Sequence, residues 1–203
     1  MPKVVAGYKE EARRTILVTA SEVFAEKGYH EATMDDVAKK LGVSKGAVYQ
    51  YFVSKEQLFQ ELCGSAAKKL EEMLRSSFTG PVLRDAAERY MNAELERVGR
   101  KQMLMFDAFA EAPRNPALNR VVRENYVACC KVLVEFLEGL KDAGLVKRSV
   151  DSDSAAKFLI ALRHGLVTSV FQGLGREEAM KMWLDGFDLA LGNARGTGTS
   201  RKD

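Results

Sequence analysis

The chain has 203 residues, of which 46% are hydrophobic and four are proline, a composition typical of a folded helical protein and not of a disordered one. Its 31 basic and 28 acidic residues leave a formal net charge of +3, so total charge does not by itself indicate a general polyanion binder. The sequence contains no apolar run as long as a membrane span and no signal-peptide core, which predicts a soluble, cytoplasmic protein.

The first predicted elements are a flexible arm over residues 1–8 and a helix over about residues 9–27. Apolar side chains recur at helical spacing along this helix, at Ile16, Ala20, Val23 and Phe24. Gly28 is expected to end it, because glycine readily adopts the left-handed conformation that terminates many helices. We expect this helix to pack behind the next two helices and to hold them rigid.

Two short helices joined by a tight turn are predicted next. Thr33 can N-cap the first helix, with Asp36 in the capping-box position. Gly42 stands where that helix must stop in a left-handed residue, and Ser44 is a good N-cap for the second helix. The small side chain of Ala38 lets the second helix cross close to the first. The pattern favours a DNA-reading helix-turn-helix over a plain helical hairpin, because a hairpin does not need the small residue.

The outward-facing residues of the second helix are suited to DNA. Lys45, and Lys55 at the start of the helix that follows, can neutralise phosphates, and the Tyr49 hydroxyl can donate to a phosphate oxygen. Gln50 can offer both ends of its amide to an adenine, and Gly46 lets the backbone approach the DNA closely. A merely solvated helix face would favour Glu and Lys throughout. We therefore predict that these residues contact DNA.

Residues 10 to 62 resemble the N-terminal domain of the TetR family of transcriptional regulators. The identities that carry the resemblance are Phe24, Gly28, Tyr29, Thr33, Asp36, Val37, Ala38, Gly42, Val43, Ser44, Lys45, Gly46, Tyr49, Tyr51, Phe52, Lys55 and Leu58. The resemblance implies an all-helical homodimer that represses transcription until a small ligand binds its C-terminal domain. It also implies phosphate contacts from Thr33 and Lys55, and DNA contacts from Lys45, Gly46, Tyr49 and Tyr51. Val53 stands where many members have Lys or Pro, and the base contact of Gln50 is our own inference.

A long helix is predicted from about Lys55 to Phe78, which is more than the DNA-binding domain alone needs. We therefore divide the chain into a helix-turn-helix domain over residues 9–54, a helical ligand-binding and dimerisation domain over 55–191, and a disordered tail over 192–203. The long helix is expected to carry movement between the two domains. The predicted fold class is all-α, with about nine helices.

The predicted sixth and seventh helices contain apolar residues that could line a ligand cavity, since methionine adapts to varied ligand shapes. The candidates are Met103, Met105, Phe106, Phe109 and Tyr126. Ordinary core packing explains the same residues. Glu94, Arg97 and Arg163 could orient a polar group of the ligand, although the sequence does not fix the helix faces on which they lie.

The predicted eighth and ninth helices, over about residues 151–173 and 177–191, each carry an apolar stripe and a second face of small residues. The second faces contain Ala161, Gly165, Thr168, Ser169, Gln172, Ala179, Met182, Gly186 and Ala190. Two neighbouring helices with two useful faces are what a four-helix dimer interface requires from each subunit. The alternative is packing within one subunit, with glycines at tight helix crossings.

Other classes of protein are weakly supported. An enzyme would need a nucleophile with a base, or a metal cluster. The two histidines, His30 and His164, have no partner at metal-ligand spacing, so we predict no enzymatic activity, no metal and no cofactor. The adjacent Cys129 and Cys130 are interpreted as small hydrophobic residues, not as a redox sensor.

The predicted function is that of a ligand-responsive, sequence-specific repressor. It would bind a palindromic double-stranded DNA operator as a homodimer and be released by a small apolar or aromatic ligand. The alternative is a helical small-molecule-binding or protein-interaction module that does not act through DNA. In that case Lys45 and Tyr49 would be dispensable. The sequence does not separate a repressor from an activator, because the DNA-facing helix is the same in both.

Overall fold

The computed structural model describes the backbone of residues 6–77, 83–96 and 100–192, and the side chains of these residues except 6, 63–66, 77 and 100–103. The described residues form nine α-helices and no strand, which confirms the all-α prediction. The helices are α1 (Ala6–Glu31), α2 (Met34–Leu41), α3 (Lys45–Tyr49), α4 (Lys55–Ser77), α5 (Leu83–Glu96), α6 (Arg100–Glu111), α7 (Pro116–Asp142), α8 (Ser152–Phe171) and α9 (Arg176–Ala190). Within the described residues, no helix is both long enough and apolar enough to cross a membrane.

The chain divides into two compact units. The first consists of Met1–Lys68 and Gly99–Val127, and the second of Lys69–Val98 and Ala128–Asp203. The first unit therefore combines α1 to α3 and the start of α4 with α6 and the start of α7. The boundary predicted after residue 54 stays a prediction.

The first unit is built around an aromatic cluster. The ring of Tyr29 lies 5.6 Å from that of Phe24 and 5.0 Å from that of Phe59, and all three side chains are buried. Gly28, which was expected to end the first helix, kinks α1 with φ of 78°, and α1 continues to Glu31. A Cβ at Gly28 would lie 2.9 Å from Asp107 Oδ2, so α6 passes close to α1 there. Both the backbone conformation and this close approach favour glycine.

The second unit has its core around Trp183 of α9. The indole stacks on Tyr90 of α5 with 5.6 Å between ring centroids, and its Nε1 donates to the Ala87 carbonyl oxygen at 2.8 Å. This hydrogen bond satisfies the only polar atom of a buried indole. The helices α8 and α9 approach closely where Gly186 faces Leu162, because a Cβ at Gly186 would overlap the Leu162 side chain.

Candidate DNA interface

The turn between α2 and α3 has the predicted local geometry. Thr33 and Asp36 form a reciprocal capping box at the start of α2. Gly42 follows α2 with φ of 70°, and the Val43 N–H donates to the Ala38 carbonyl oxygen at 3.1 Å. Ser44 then caps α3 by accepting from the Ala47 N–H at 3.3 Å. These local bonds fix where α2 stops and where α3 starts.

One side of α3 packs against the core of the first unit, and the opposite side is exposed to solvent. Val48 and Phe52 are fully buried in the core of the first unit. The opposite side is exposed and presents Lys45, Gly46, Tyr49 and Gln50. Because two buried anchors fix the rotation of so short a helix, the exposed residues have a defined direction. The Gln50 amide has no hydrogen-bond partner among the described residues, which leaves both of its ends free to pair with a base edge.

Lys45 makes a contact that spacing alone did not predict. Its ammonium lies 3.0 Å from Oδ1 and 3.1 Å from Oδ2 of Asp35 on α2, and 5.8 Å from the Tyr49 ring centroid. The hydrogen bond to Asp35 raises the pKa of Lys45, so the lysine is charged at neutral pH. A carboxylate therefore sits beside the first cation of the DNA-facing helix.

Lys55 is also engaged within the unit. Its ammonium donates to the carbonyl oxygens of Tyr29 at 2.7 Å and of His30 at 3.0 Å, and it lies 4.5 Å from the Tyr29 ring centroid. Burial lowers the pKa of Lys55. Two of its three donors thus bind the C-terminal end of α1. The predicted phosphate contact of Lys55 has one donor left to use and stays a prediction.

Thr33 has a similar double role. Its hydroxyl donates to Asp36 Oδ2 at 2.7 Å and accepts from the Asp36 N–H at 3.2 Å. Lys27 donates to the other carboxylate oxygen, Oδ1, at 2.5 Å. The hydrogen bonds from Lys27 and then from Thr33 lower the pKa of Asp36 to about 2. The hydroxyl of Thr33 is therefore committed to the cap of α2, and its phosphate contact stays a prediction.

Arg13 on α1 holds the end of the recognition helix, and sequence reasoning missed it. Its Nη1 donates to the Tyr51 carbonyl oxygen at 3.0 Å, and its Nε donates to Glu61 Oε2 at 3.1 Å. Nη2 completes a two-pronged ion pair with Glu61. The guanidinium carbon lies 4.4 Å from the Phe52 ring centroid. Tyr51, a predicted DNA contact, is half-buried against the core, and Arg13 fixes its backbone.

Glu56 on α4 joins the helix-turn-helix to the corner between α6 and α7. Its Oε1 accepts from the Tyr29 hydroxyl at 3.3 Å and from Asn115 Nδ2 at 3.0 Å. Burial raises the pKa of Glu56, but hydrogen bonds from its own N–H, Asn115, Ser54 and Tyr29 outweigh burial and lower it. Asn115 Oδ1 in turn accepts from the Leu118 N–H at 3.0 Å and so caps the start of α7.

Two family models match the chain. The model described as "Bacterial regulatory proteins, tetR family" matches residues 16–62, the region of α1 to α4 that forms this interface. The model described as "BetI-type transcriptional repressor, C-terminal" matches residues 66–192, which is more than half of the chain. The chain belongs to the TetR family. It is a transcriptional regulator with a helix-turn-helix DNA-binding domain.

Individual proteins resemble the chain over most of its length. It is 23% identical over 177 residues to the HTH-type transcriptional regulator UidR of Escherichia coli strain K12, covering 86% of this chain and 90% of that one. It is 31% identical over 143 residues to the HTH-type transcriptional activator FasR of Mycolicibacterium smegmatis, covering 68% and 63%. The solved structure of Salmonella enterica GusR matches with a TM-score of 0.77 and 24% identity, covering 90% of this chain and 96% of that one. The last similarity shows the fold.

The predicted ligand residues of this TetR-family chain fall in α6 and α7 of the first unit. Met105 is partly buried against the core, Phe106 is half-buried, and Phe109 and Tyr126 are 37% and 42% exposed. The side chain of Met103 lies outside the described residues. Whether these residues line an effector site stays a prediction.

A polar cluster lies in the second unit. Arg163 Nη1 donates to Glu94 Oε2 at 2.6 Å, and Nη2 bonds to His164 Nε2. Burial, and then the charge of Arg163, lower the pKa of His164 to about 4, so the imidazole is neutral at pH 7 and accepts from Arg163. Arg97 lies outside the described residues. Within the described residues, no group of three or more His, Cys, Asp or Glu side chains could hold a metal ion.

The residues predicted for the dimer interface fall into three groups. Ala161, Gly165, Gln172 and Met182 are exposed. Thr168, Ser169, Gly186 and Ala190 are half-buried. Ala179 is fully buried in its own subunit. A Cβ at Gly165 would meet nothing within 4 Å, whereas one at Gly186 would overlap Leu162. Gly186 therefore serves the crossing of α8 and α9 within the subunit.

Proposed function

We propose that the protein is a ligand-responsive repressor that binds a palindromic operator as a homodimer and is released by a small apolar or aromatic effector. The observation that carries the proposal is the exposed face of α3, which buried Val48 and Phe52 hold in a fixed direction. A short helix that is anchored on one side and presents polar side chains on the other can lie in the major groove.

The roles of the exposed residues follow from their chemistry. Lys45 and Tyr49 bind phosphate oxygens and set the position of the helix on the duplex, and they carry no base information. Gln50 reads an adenine through its free amide. Gly46 is exposed and a Cβ there would be 3.9 Å from Ser44 Oγ, so its role is the close approach of backbone to DNA and not packing within the protein.

Dimerisation uses the outer faces of α8 and α9. These helices expose large apolar side chains in a single subunit, with Phe158 at 41%, Met182 at 47% and Leu189 at 61%. The small residues Ala161 and Gly165 are exposed on α8 beside them. Exposed apolar side chains next to small ones favour a helix-to-helix contact with a second copy. Two copies place two recognition helices for half-sites about 34–36 Å apart.

The direction of regulation rests on the family model of residues 66–192, whose description is a transcriptional repressor. FasR, at 31% identity, is an activator, so the direction needs its own test. A reporter gene placed behind the bound DNA decides it, because a repressor lowers and an activator raises reporter expression when the protein is supplied.

The effector acts through a difference in affinity. It releases DNA only to the extent that it binds the non-binding conformation more tightly than the DNA-bound one. Apolar contacts come from Met105, Phe106 and Phe109 on α6, which belongs to the same compact unit as α3.

Fluorescence anisotropy tests the DNA part of the proposal. A duplex selected from random-sequence DNA on the wild-type protein is compared with a scrambled duplex at several salt concentrations, and sedimentation of the complex counts the chains. We expect two chains per selected duplex, a strong preference for that duplex, and log affinity that falls linearly with log salt. Equal binding to both duplexes, or one chain per duplex, would contradict the proposal.

Two matched variants of α3 distinguish a residue that contacts phosphate from one that contacts a base. Tyr49→Ala should weaken binding to the selected and scrambled duplexes by similar factors, because a phosphate contact is independent of sequence. Gln50→Ala should instead relax the preference at one base pair per half-site by about 1–3 kcal/mol. If Gln50→Ala lowers both affinities equally, Gln50 does not read a base.

A further inference from the structure

We propose that Asp35 is an affinity-limiting residue, which holds Lys45 back from DNA that α3 does not fit and releases it on the operator. The inference rests on the proposed DNA-binding role of α3. It concerns one ion pair between the first turn of α2 and the first turn of α3.

The pair is well placed to compete with a phosphate. The Lys45 ammonium lies 3.0 Å from Oδ1 and 3.1 Å from Oδ2 of Asp35, so one carboxylate faces it with both oxygens. Asp35 Oδ1 is shielded from solvent, and its contact with the ammonium is electrostatic, without the alignment of a full hydrogen bond. A carboxylate and a phosphate oxygen offer the same chemistry to an ammonium. Asp35 therefore occupies one of the three donors of Lys45 and competes with a phosphate for its charge.

The pair is also weak enough to open. The side chains of Lys45 and Asp35 are 57% and 45% exposed, and exposed ion pairs of this kind are worth little, equivalent to roughly a two- to five-fold change in an equilibrium constant. The Lys45 side chain is long and flexible, and its ammonium also lies 5.8 Å from the Tyr49 ring centroid, where a cation–π contact can replace part of the interaction with Asp35. Lys39 lies one helical turn from Asp35 on α2 and could also pair with it. The ion pair nevertheless forms with Lys45, and Lys39 is exposed.

Two binding modes follow from this arrangement. On DNA that α3 does not fit, Lys45 stays with Asp35 and contributes no phosphate contact. On the operator, full insertion of α3 brings Lys45 to the DNA and the pair opens. Asp35 therefore lowers the affinity in both modes, because it withholds one phosphate contact from non-specific complexes and because opening the pair on the operator costs the free energy of the pair.

The test measures salt dependence on two duplexes, the selected one and the scrambled one. In Asp35→Asn, Lys45 is free to bind a phosphate of any sequence. Affinity for the scrambled duplex should rise by about two- to five-fold near physiological salt. Its slope of log affinity against log salt should steepen by about 0.9, the value for one added phosphate contact. The slope for the selected duplex should not change, because Lys45 already contacts DNA in that complex, although its affinity should rise by a similar factor because the pair no longer has to open.

Matched variants isolate the cause. Glu71→Gln removes one carboxylate of similar exposure, 48%, from the Glu71–Arg75 pair on α4 and should leave both slopes unchanged. Asp35→Glu keeps the charge and should behave as wild type. In a Lys45→Ala background, Asp35→Asn should have no effect on the slope for the scrambled duplex.

Three results would overturn the inference. Equal gains in affinity on both duplexes with unchanged slopes would mean that Asp35 repels phosphates directly. If Asp35→Asn raises the affinity for the scrambled duplex equally in the Lys45→Ala background, Asp35 also repels phosphates directly and does not act through Lys45. A steeper slope in Glu71→Gln would mean that total charge is responsible. If wild type does not distinguish the two duplexes, the proposed function fails, but the scrambled-duplex slope of Asp35→Asn still decides whether Asp35 controls Lys45.

Discussion

Arg13 offers a strong test of how the recognition helix is held. Replacing it with alanine removes two hydrogen bonds to Glu61, one to the Tyr51 carbonyl oxygen and a guanidinium contact with the Phe52 ring. The ion pair is about one-third exposed, with side-chain exposures of 32% and 28%, so we assign it about 1 kcal/mol. A charged hydrogen bond to the carbonyl adds about 1.5 kcal/mol, and the ring contact about 0.5–1 kcal/mol. Because neighbouring contributions overlap, we expect a total loss of about 2–3 kcal/mol.

Arg14 is the matched control for this variant. It lies next to Arg13 on the same helix, it is exposed, and it has no hydrogen-bond or ion-pair partner among the described residues. Urea unfolding of Arg13→Ala and Arg14→Ala measures the two free energies of unfolding on the same scale. Amide hydrogen exchange then shows whether residues 50–52 open more readily in Arg13→Ala. If the two variants differ in stability by less than about 0.5 kcal/mol, Arg13 does not clamp the end of α3.

Two further predictions concern packing and charge. Gly186→Ala should destabilise the protein by up to about 2 kcal/mol, because the added methyl overlaps the end of the Leu162 side chain, which must shift, and the gain in helix propensity of about 1 kcal/mol offsets only part of that cost. Gly139→Ala, where a Cβ on α7 meets nothing within 4 Å, should stabilise it by up to about 1 kcal/mol, so equal effects in thermal unfolding would contradict the close crossing of α8 and α9. The pKa of Asp36, lowered to about 2 chiefly by Lys27, lies below that of an unfolded aspartate at about 3.9. The stability that Asp36 contributes is therefore present above about pH 4 and lost as the pH falls towards 2, and Asp36→Asn should flatten the dependence of the urea midpoint on pH in that window.

Local signals in the sequence predicted the helix-turn-helix correctly. Thr33, Gly42 and Ser44 act on neighbours within four residues, and each has the predicted cap or left-handed conformation. Gly28 interrupts the regular helix at the position where the sequence predicted its end, for the same reason. Capping and turn chemistry depend on residue type and short spacing, and both can be read from a sequence.

The contacts that hold and tune the site could not be read in the same way. Arg13 and Glu61 are 48 residues apart, and Glu56 and Asn115 are 59 apart. Helical periodicity says which face of one helix is apolar, but it does not say which charged residue on another helix meets it. The Lys45–Asp35 pair is only 10 residues apart, but it spans a turn whose geometry fixes the partner.

The glycines and alanines of α8 and α9 show the same limit. Gly165 and Gly186 both belong to stretches of small residues in the sequence, yet a Cβ would meet open space at Gly165 and Leu162 at Gly186. Ala179 was placed on the dimer face and is fully buried. A small side chain permits close approach on whichever face it lies, so its partner is decided by the rotation of the helix and not by residue type.

Under the proposed function, the composition of the first unit determines how an effector bound to α6 would act. Glu56 binds Asn115 at the corner between α6 and α7, and Asp107 of α6 lies against Gly28 at the kink of α1. The helices α1 and α4 that carry these contacts also hold α3, through Arg13 and Glu61. A displacement of α6 therefore reaches the recognition helix through contacts of one compact unit. Because packed helices shift as rigid bodies, we infer that an effector on α6 releases DNA by moving α1 and α4 together and not by loosening α3 alone.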